Sequence, residues 1–422
     1  MNANRSREQR GMLTDIIRLA AKLSIATNAF YLVVIRSVCW SSLPYCARQR
    51  WRAGNDFVQL WRRQTSRGSS SKRRPRSRSR WKLYGTTEEE LDTKTRGFPS
   101  GTVFRFDPST SRFTDLKSFL TAKHRAPQSP LLLFHGGIVG GIAQTNHRGG
   151  SIFYLGSSGS AQIWHEFGLQ KTNGNDPSTP LMLGPDGDIY GATVGGGANN
   201  QGTVYQLNPA THELTLLHSF SLSGPYRPRY LILGQDGNFY GYAFSSSGMV
   251  ILMMTPAGAV TTLYTFNGSE EFDGLSLTQA SDGTFYGTTE ILGTYNEGTL
   301  FKMTGTPPSV TVTVLHSFGQ GIDGFYPGGV VVGPNGNLYG VTAAGGTGKH
   351  TAGDGIIFEI TTDGSTYTVL HNFNDGSIPN DGSDPVGGLT VGTDNNLYGT
   401  TFQGGAYGRA KGGFGMLFRL SP

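Results

Sequence analysis

Apolar residues in this chain come in short bursts. From residue 82 to the end, runs of four to seven apolar-rich residues are bounded by Gly, Pro, Asp or Asn, and four such runs return in fixed order about every 50 residues. The first has the form Leu-x-x-Gly, as in Leu231-Ile232-Leu233-Gly234. A tight turn such as Pro185-Asp186-Gly187 or Gln235-Asp236-Gly237 follows. The second run is anchored by Tyr-Gly at Tyr84, Tyr190, Tyr240, Tyr286, Tyr339 and Tyr398, with a degenerate copy at Val139-Gly140. A Gly-rich loop leads to the third run (202–207, 298–303, 415–420), and the fourth reads Leu217-His218-Ser219-Phe220 or Leu315-His316-Ser317-Phe318. Runs this short, punctuated by turn formers, predict strands and exclude helices.

In the third run Phe104, Tyr205, Phe301, Phe358 and Phe418 each precede a polar residue, Arg105, Gln206, Lys302, Glu359 and Arg419. A period of two predicts buried aromatics on one face and exposed polar groups on the other. Seven units of four strands predict an all-β fold, a β-propeller of about seven four-stranded blades. The Asp-Gly turns suit tight hairpins within a blade, so the longer loop after the fourth strand must cross to the next blade. On this reading the chain enters at Leu83 and leaves at Leu420, and blades one and seven hold three strands each. The alternative is a six-bladed ring with residues 113–119 completing the last sheet. Strand alternation puts the Gly-rich loops and the crossovers on one rim and the tight hairpins on the other.

The Tyr-Gly-x-Thr and Gly-Thr-Val-Phe copies resemble the Gloeo/Verruco (GloVer) tandem repeat family of bacterial, mostly predicted-exported proteins. The resemblance covers residues 82–422. It implies an extracellular or cell-surface repeat protein, with no activity and no catalytic residue attached.

Composition supports the β reading: Gly numbers 62 of 422 residues, twice the ordinary usage of about 7%. Charge divides the chain. Residues 1–82 hold 19 Lys and Arg against Glu8, Asp15 and Asp56, a net charge of +16, whereas the remainder is acidic at −10. Two domains follow: a basic low-complexity segment over 1–81, disordered or partly helical, and the repeat domain over 82–422. For the segment, an export signal, an accessory tail and a misassigned start stay open. The apolar stretch 25–35 after several basic residues has the layout of a signal peptide and is short for a transmembrane helix. Nucleic acid is an expected partner only through the Arg-rich run 62–80. Both cysteines, Cys39 and Cys46, lie upstream of the repeats, which excludes a thiolate site in the main body.

Candidate chemistry is thin. His165, His218, His316 and His371 occupy one repeat position, which reads as packing, because catalytic groups are placed once. Hydrolase, zinc-protease and Cys-x-x-Cys motifs are absent. Non-repeated Glu290, Glu297 and Lys349 with His350 are candidates for the acid–base pair that a hydrolase or lyase at the long-loop rim would need, and the catalytic residues are unknown. The reading preferred is a non-enzymatic, exported or surface-displayed, monomeric binding scaffold for a glycan or protein. Its ligand residues are expected to be Asp273, Asp323, Phe325, Tyr326, Asp381, Asp384 and Tyr407, since aromatics stack on sugar rings and carboxylates accept their hydroxyls. As loop carboxylates, Asp323 and Asp381 should matter little for folding. No cofactor is expected; Ca²⁺ is the one ion these carboxylates could hold.

Overall fold

The computed structural model describes residues 31–34, 59–61, 81–88, 101–119, 129–142, 149–156, 159–168, 171–177, 179–266, 275–349, 353–379, 381–385, 387–404 and 415–422. Seven four-stranded antiparallel sheets form the blades of a propeller, and a two-stranded ribbon pairs Gly382–Ser383, in the crossover into blade seven, with Gln403–Gly404, just after that blade's second strand. Blade four is the most regular: Tyr226–Leu233, Phe239–Ser245, Gly248–Met254 and Val260–Thr265 pair in chain order. The first strand of each blade lines the centre and the fourth forms the outer edge. Helical structure among the described residues is a single turn, Lys171–Asn173.

Blades one and seven differ from the sequence reading. The inner strand of blade one is Gln59–Trp61, paired with Lys82–Glu88. The outer strand of blade seven is Tyr31–Val34, paired with Met416–Leu420. Both blades therefore have four strands, the added strand in each coming from the chain before the repeats. The rest of segment 1–80 lies outside the described residues.

The expected alternation of the third strand is also corrected. Thr203–Leu207 and Ile356–Ile360 are buried at every position but one, the polar Gln206 or Glu359. A blade is covered on both faces by its neighbours, so the strand has no solvent face and its pattern is nearly continuous. The buried aromatics make the blade-to-blade contact. Phe119, Phe167, Phe266, Phe318 and Phe373 of the fourth strands meet Phe153, Tyr205, Phe301, Phe358 and Phe418 of the following blade, with ring centroids 5.2–5.5 Å apart. The Gly of Tyr-Gly makes room within the blade: a Cβ at Gly287 would stand 2.5 Å from Phe301 Cζ. The ring closes where Trp81 of blade one meets Tyr398 of blade seven edge-on at 5.4 Å, in a cluster with Leu83, Phe104 and Leu417.

Candidate functional site

The two rims are chemically different. On the hairpin rim the second-strand Tyr of blades three, four and seven reaches back to the turn that precedes it. Tyr190 Oη donates to Asp186 Oδ2 (2.5 Å), Tyr240 to Asp236 (2.7 Å) and Tyr398 to Asp394 (2.9 Å). Blade six solves the same problem differently: Asn335 stands in the turn, and Tyr339 donates to Glu359 Oε1 (2.7 Å) on the third strand. Asn335 and Asn337 donate to the same oxygen at 2.8 and 2.7 Å. Burial pushes the Tyr339 phenol up to about 12, with the Glu359 hydrogen bond and charge adding to it. Burial alone would raise Glu359; the three hydrogen bonds outweigh it and leave the carboxyl below its usual value. The polar groups of these turns are thus committed to holding the blade together.

On the long-loop rim a different motif recurs. Asp176, Arg227, Tyr326 and Asp384 each precede a buried proline, Pro177, Pro228, Pro327 or Pro385, at the entry to an inner strand. All four have left-handed backbones, with φ of 61, 50, 57 and 60°. Their amides donate to the preceding blade: Asp176 to the Gly149 carbonyl (2.7 Å), Arg227 to Gln201 (2.7 Å), Tyr326 to Glu297 (3.0 Å) and Asp384 to Asp354 (2.9 Å). Each acceptor stands immediately before a positive-φ glycine, Gly150, Gly202, Gly298 or Gly355. In three cases the proline packs on that glycine: a Cβ at Gly202 would stand 2.6 Å from Pro228 Cδ, and Pro327 and Pro385 crowd Gly298 and Gly355 in the same way. Only glycine combines that φ with that contact.

The expected ligand residues divide into three groups. Tyr326 and Asp384 come together, lining a cleft of about 230 Å³ between blades six and seven with Ala344, Asp354, Ser383 and Gln403. Asp323 and Asp381 turn inward. His316 Nε2 lies 2.8 Å from Asp323 Oδ2, whose other oxygen accepts the Gly319 amide at 2.8 Å. His371 Nε2 lies 2.8 Å from Asp381 Oδ2, which also accepts the Asn374 amide at 3.0 Å, and the Asp381 residue is buried. Both carboxylates hold the crossover loop to the fourth strand, so the expectation that they matter little for folding does not suit their placement. Phe325 is half-buried and, on the first strand of blade six, pairs with Ala344 on the second. Asp273 and Tyr407 lie outside the described residues, as does His350.

Sequence reasoning overlooked Asp354, Ser383, Gln403 and Arg227. A readable signal existed for Arg227 in the repeated residue–proline step, but its side-chain variety hid the equivalence. Four more large apolar side chains join Tyr326 in being exposed on the loops of this rim: Leu222, Tyr295, Ile322 and Phe402. None of the exposed large hydrophobics among the described residues stands in a tight hairpin of the other rim. The fourth-strand histidines pack edge-on against the following Phe, at 4.6–4.9 Å, and burial holds His165 and His218 below the usual imidazole value. Among the described residues no group of three His, Cys, Asp or Glu side chains is placed to hold a metal ion, and no helix is long and apolar enough to cross a membrane.

Comparison with known proteins finds a repeat family and distant structural likenesses. A family model described as the Gloeobacter/Verrucomicrobia repeat matches residues 53–250 and 243–422. No curated protein matches the sequence. A fungal alcohol oxidase in complex with copper shares 15% identity at a TM-score of 0.51, over 81% of this chain and 72% of that one. The periplasmic gluconolactonase of Pseudomonas aeruginosa shares 17% identity at 0.47, over 71% and 84%. An oligogalacturonate lyase in complex with manganese shares 9% at 0.49, over 87% and 96%. Likeness at these identities concerns the fold alone.

Proposed function

The chain belongs to the Gloeobacter/Verrucomicrobia repeat family, and from that premise we propose that it is a non-enzymatic binding scaffold, exported or displayed at the cell surface, whose long-loop rim takes a carbohydrate. The observation that carries this reading is the cleft between blades six and seven. It combines a 41%-exposed aromatic ring, Tyr326, with the carboxylate of Asp384, the Ser383 hydroxyl and the Gln403 amide. An aromatic face stacks on the apolar side of a sugar ring, while carboxylate and amide groups bond its hydroxyls. A binder needs no activated nucleophile or acid–base pair; a hydrolase or lyase would.

The test is binding of the full chain to an array of neutral and acidic oligosaccharides, with Asp384→Asn and Asp282→Asn as paired variants. Asn tolerates the left-handed backbone at 384, so that variant removes the charge and keeps the conformation. Asp282 accepts the Thr284 amide in a hairpin of the opposite rim, a bond Asn retains. Loss of about tenfold in affinity for Asp384→Asn, with Asp282→Asn unchanged, supports the assignment. Retained binding in the first variant, or release of shortened sugars by the parent, overturns it. Repeating the measurement in EDTA tests Ca²⁺ participation, and cell fractionation tests export.

A further inference from the structure

The outer edge of blade five differs from the others. In every blade the fourth strand ends the sheet, so one row of its N–H and C=O groups faces outward. Proteins keep such edges short or place charges and prolines on them. In blades one to six a bulge interrupts the pairing of the third and fourth strands. Before it, residues 161–163, 214–216, 260–262 and 367–369 are paired in blades two, three, four and six, and 112–115, with Arg112 and Asp115, in blade one. In blade five the run is longer, 309–314. It reads Ser-Val-Thr-Val-Thr-Val, with no charge, proline or glycine. A β-branched, uncharged stretch of about six residues is the composition of an unprotected edge.

The extra length lies in the hairpin between the third and fourth strands, which runs on past the blade. Thr304, Gly305 and Thr306 pair with Thr311, Val310 and Ser309 around Pro307-Pro308, whereas pairing with the second strand reaches only Met303. With Thr306 and Ser309 closing a two-residue turn, strand alternation sends the N–H and C=O of Ser309, Thr311 and Thr313 to the third strand and those of Val310, Val312 and Val314 outward. Among the described residues no further strand pairs with this edge. Val310 and Val312 are half-buried against the core between blades four and five, which fixes the strand; Thr311 and Thr313 are exposed, and Val314 is 53% exposed. The run is complementary to itself. Set antiparallel against a second copy about a two-fold axis at Val312, it places Val312 opposite Val312, Val310 opposite Val314 and Thr311 opposite Thr313. The three valine pairs then exchange about six main-chain hydrogen bonds, with β-branched side chains facing one another throughout. Such a contact closes on itself, since each copy satisfies the edge of the other.

We propose that the chain forms a two-fold dimer through the fourth strand of blade five, two copies of Ser309–Ser317 pairing antiparallel about Val312 to join their blades into one continuous sheet. A blade stands radially in the ring, so its sheet extends straight outward and the neighbouring blades fall back on either side. The dimer takes the place of the monomer expected from the sequence and does not depend on what the long-loop rim binds. A paired edge of about 20 Å is a small interface, so the association is weak, with a Kd on the order of 10–100 µM.

Sedimentation velocity of the full chain from about 1 to about 300 µM tests it, with two double variants beside the parent. Thr311→Lys with Thr313→Lys sets Lys against Lys at both positions where 311 of one copy meets 313 of the other; Thr311→Lys with Thr313→Glu sets Lys against Glu there. The proposal expects the parent to dimerise across this range, the Lys–Lys variant to bind itself at least about tenfold more weakly, and the Lys–Glu variant to match the parent. Leu216→Lys, on the outer edge of blade three and 39% exposed, should leave the dimer unchanged. A parent that stays monomeric overturns the proposal and leaves the edge to an extended strand of another protein. A dimer indifferent to the Lys–Lys change overturns it in favour of another surface, and equal weakening of both double variants overturns the pairing about Val312. Hydrogen–deuterium exchange of the parent needs no variant: amides of the 309–315 segment should exchange more slowly at the high concentration, and equal rates at both ends of the range overturn the proposal.

Discussion

Blade six offers a test of what the Tyr-Gly motif requires. In blades three, four and seven the tyrosine hydroxyl meets an Asp from the turn; in blade six the turn carries Asn335 and the carboxylate comes from Glu359 on the third strand. Each of these four tyrosines donates to one carboxylate. In blade three the third-strand position is Gln206, whose amide donates to Asp186 at 3.2 Å and to Asp188, the counterpart of Asn337, at 2.7 Å. Exchanging the two groups in blade six, Asn335→Asp with Glu359→Gln, should therefore rebuild the contact of Tyr and Gln with one turn Asp that blade three makes at Asp186. Either change alone should not. Glu359→Gln removes the charged acceptor of three hydrogen bonds at 2.7–2.8 Å. Charge-assisted bonds are worth about 1.5–3 kcal/mol each at best, but the site is half-exposed, so a net loss of about 1–2 kcal/mol is expected.

Asn335→Asp alone replaces the 2.8 Å bond between Asn335 and Glu359 with two facing carboxylates. Their repulsion is on the order of 1–4 kcal/mol between the limits of bulk water and a protein surface. The double variant should lie within about 0.5 kcal/mol of the parent, giving a coupling energy of about 2 kcal/mol or more, within the range for residues in one network. Urea unfolding of the four proteins, followed by tyrosine and tryptophan fluorescence, measures it. Additive losses, with coupling under about 0.5 kcal/mol, would refute the claim that each site needs one carboxylate in either of two places.

Tyr205 is fully buried and its hydroxyl has no hydrogen-bond partner, while five other blades place Phe there; Tyr205→Phe should stabilise by about 1 kcal/mol, read as a raised urea midpoint. Burial also pushes the Tyr205 phenol well above its ordinary value. The unfolded chain ionises first, so stability present below pH 10 is lost as pH rises through the alkaline range, and Tyr205→Phe should flatten that loss by about 1.4 kcal/mol per pH unit above pH 10. Asp381→Ala leaves His371 and the Asn374 amide without their acceptor in a buried site, and should lower stability by about 3 kcal/mol, measured by the same unfolding assay.

The fold was legible because its determinants repeat. Tyr-Gly, Asp-Gly and the Leu-His-Ser-Phe run recur at one spacing, and each recurrence reports the same packing problem: an aromatic over a glycine, a turn with positive φ, a Phe against the next blade. The strands at 31–34 and 59–61 were not legible, since they carry no repeat motif and are defined by pairing with distant chain. The site was legible only in part. Tyr326 and Asp384 were found as rim residues, but Asp323 and Asp381 resemble them in sequence and differ in space, because a histidine two residues before a Phe lies within reach of a crossover carboxylate. No local pattern distinguishes an Asp that faces solvent from one that closes its own loop.

The contrast between the rims follows from what the hairpins must do. A two-residue turn has few side chains, and here they are spent on the Tyr lock, so substitution there is constrained by stability. The long-loop rim is held by backbone instead: the amide of the left-handed residue, the carbonyl before the glycine, and the proline on that glycine. Main-chain groups fix the step in all four blades, while its side chain differs as Asp, Arg, Tyr and Asp at 176, 227, 326 and 384. A surface that is rigid in backbone and varied in side chain is suited to recognition, because ordering costs on binding are small when the contacts are already in place. The same division explains why exposed apolar side chains gather on these loops. There they add contact area for a partner, whereas on the hairpin rim they would displace a hydrogen bond the blade depends on.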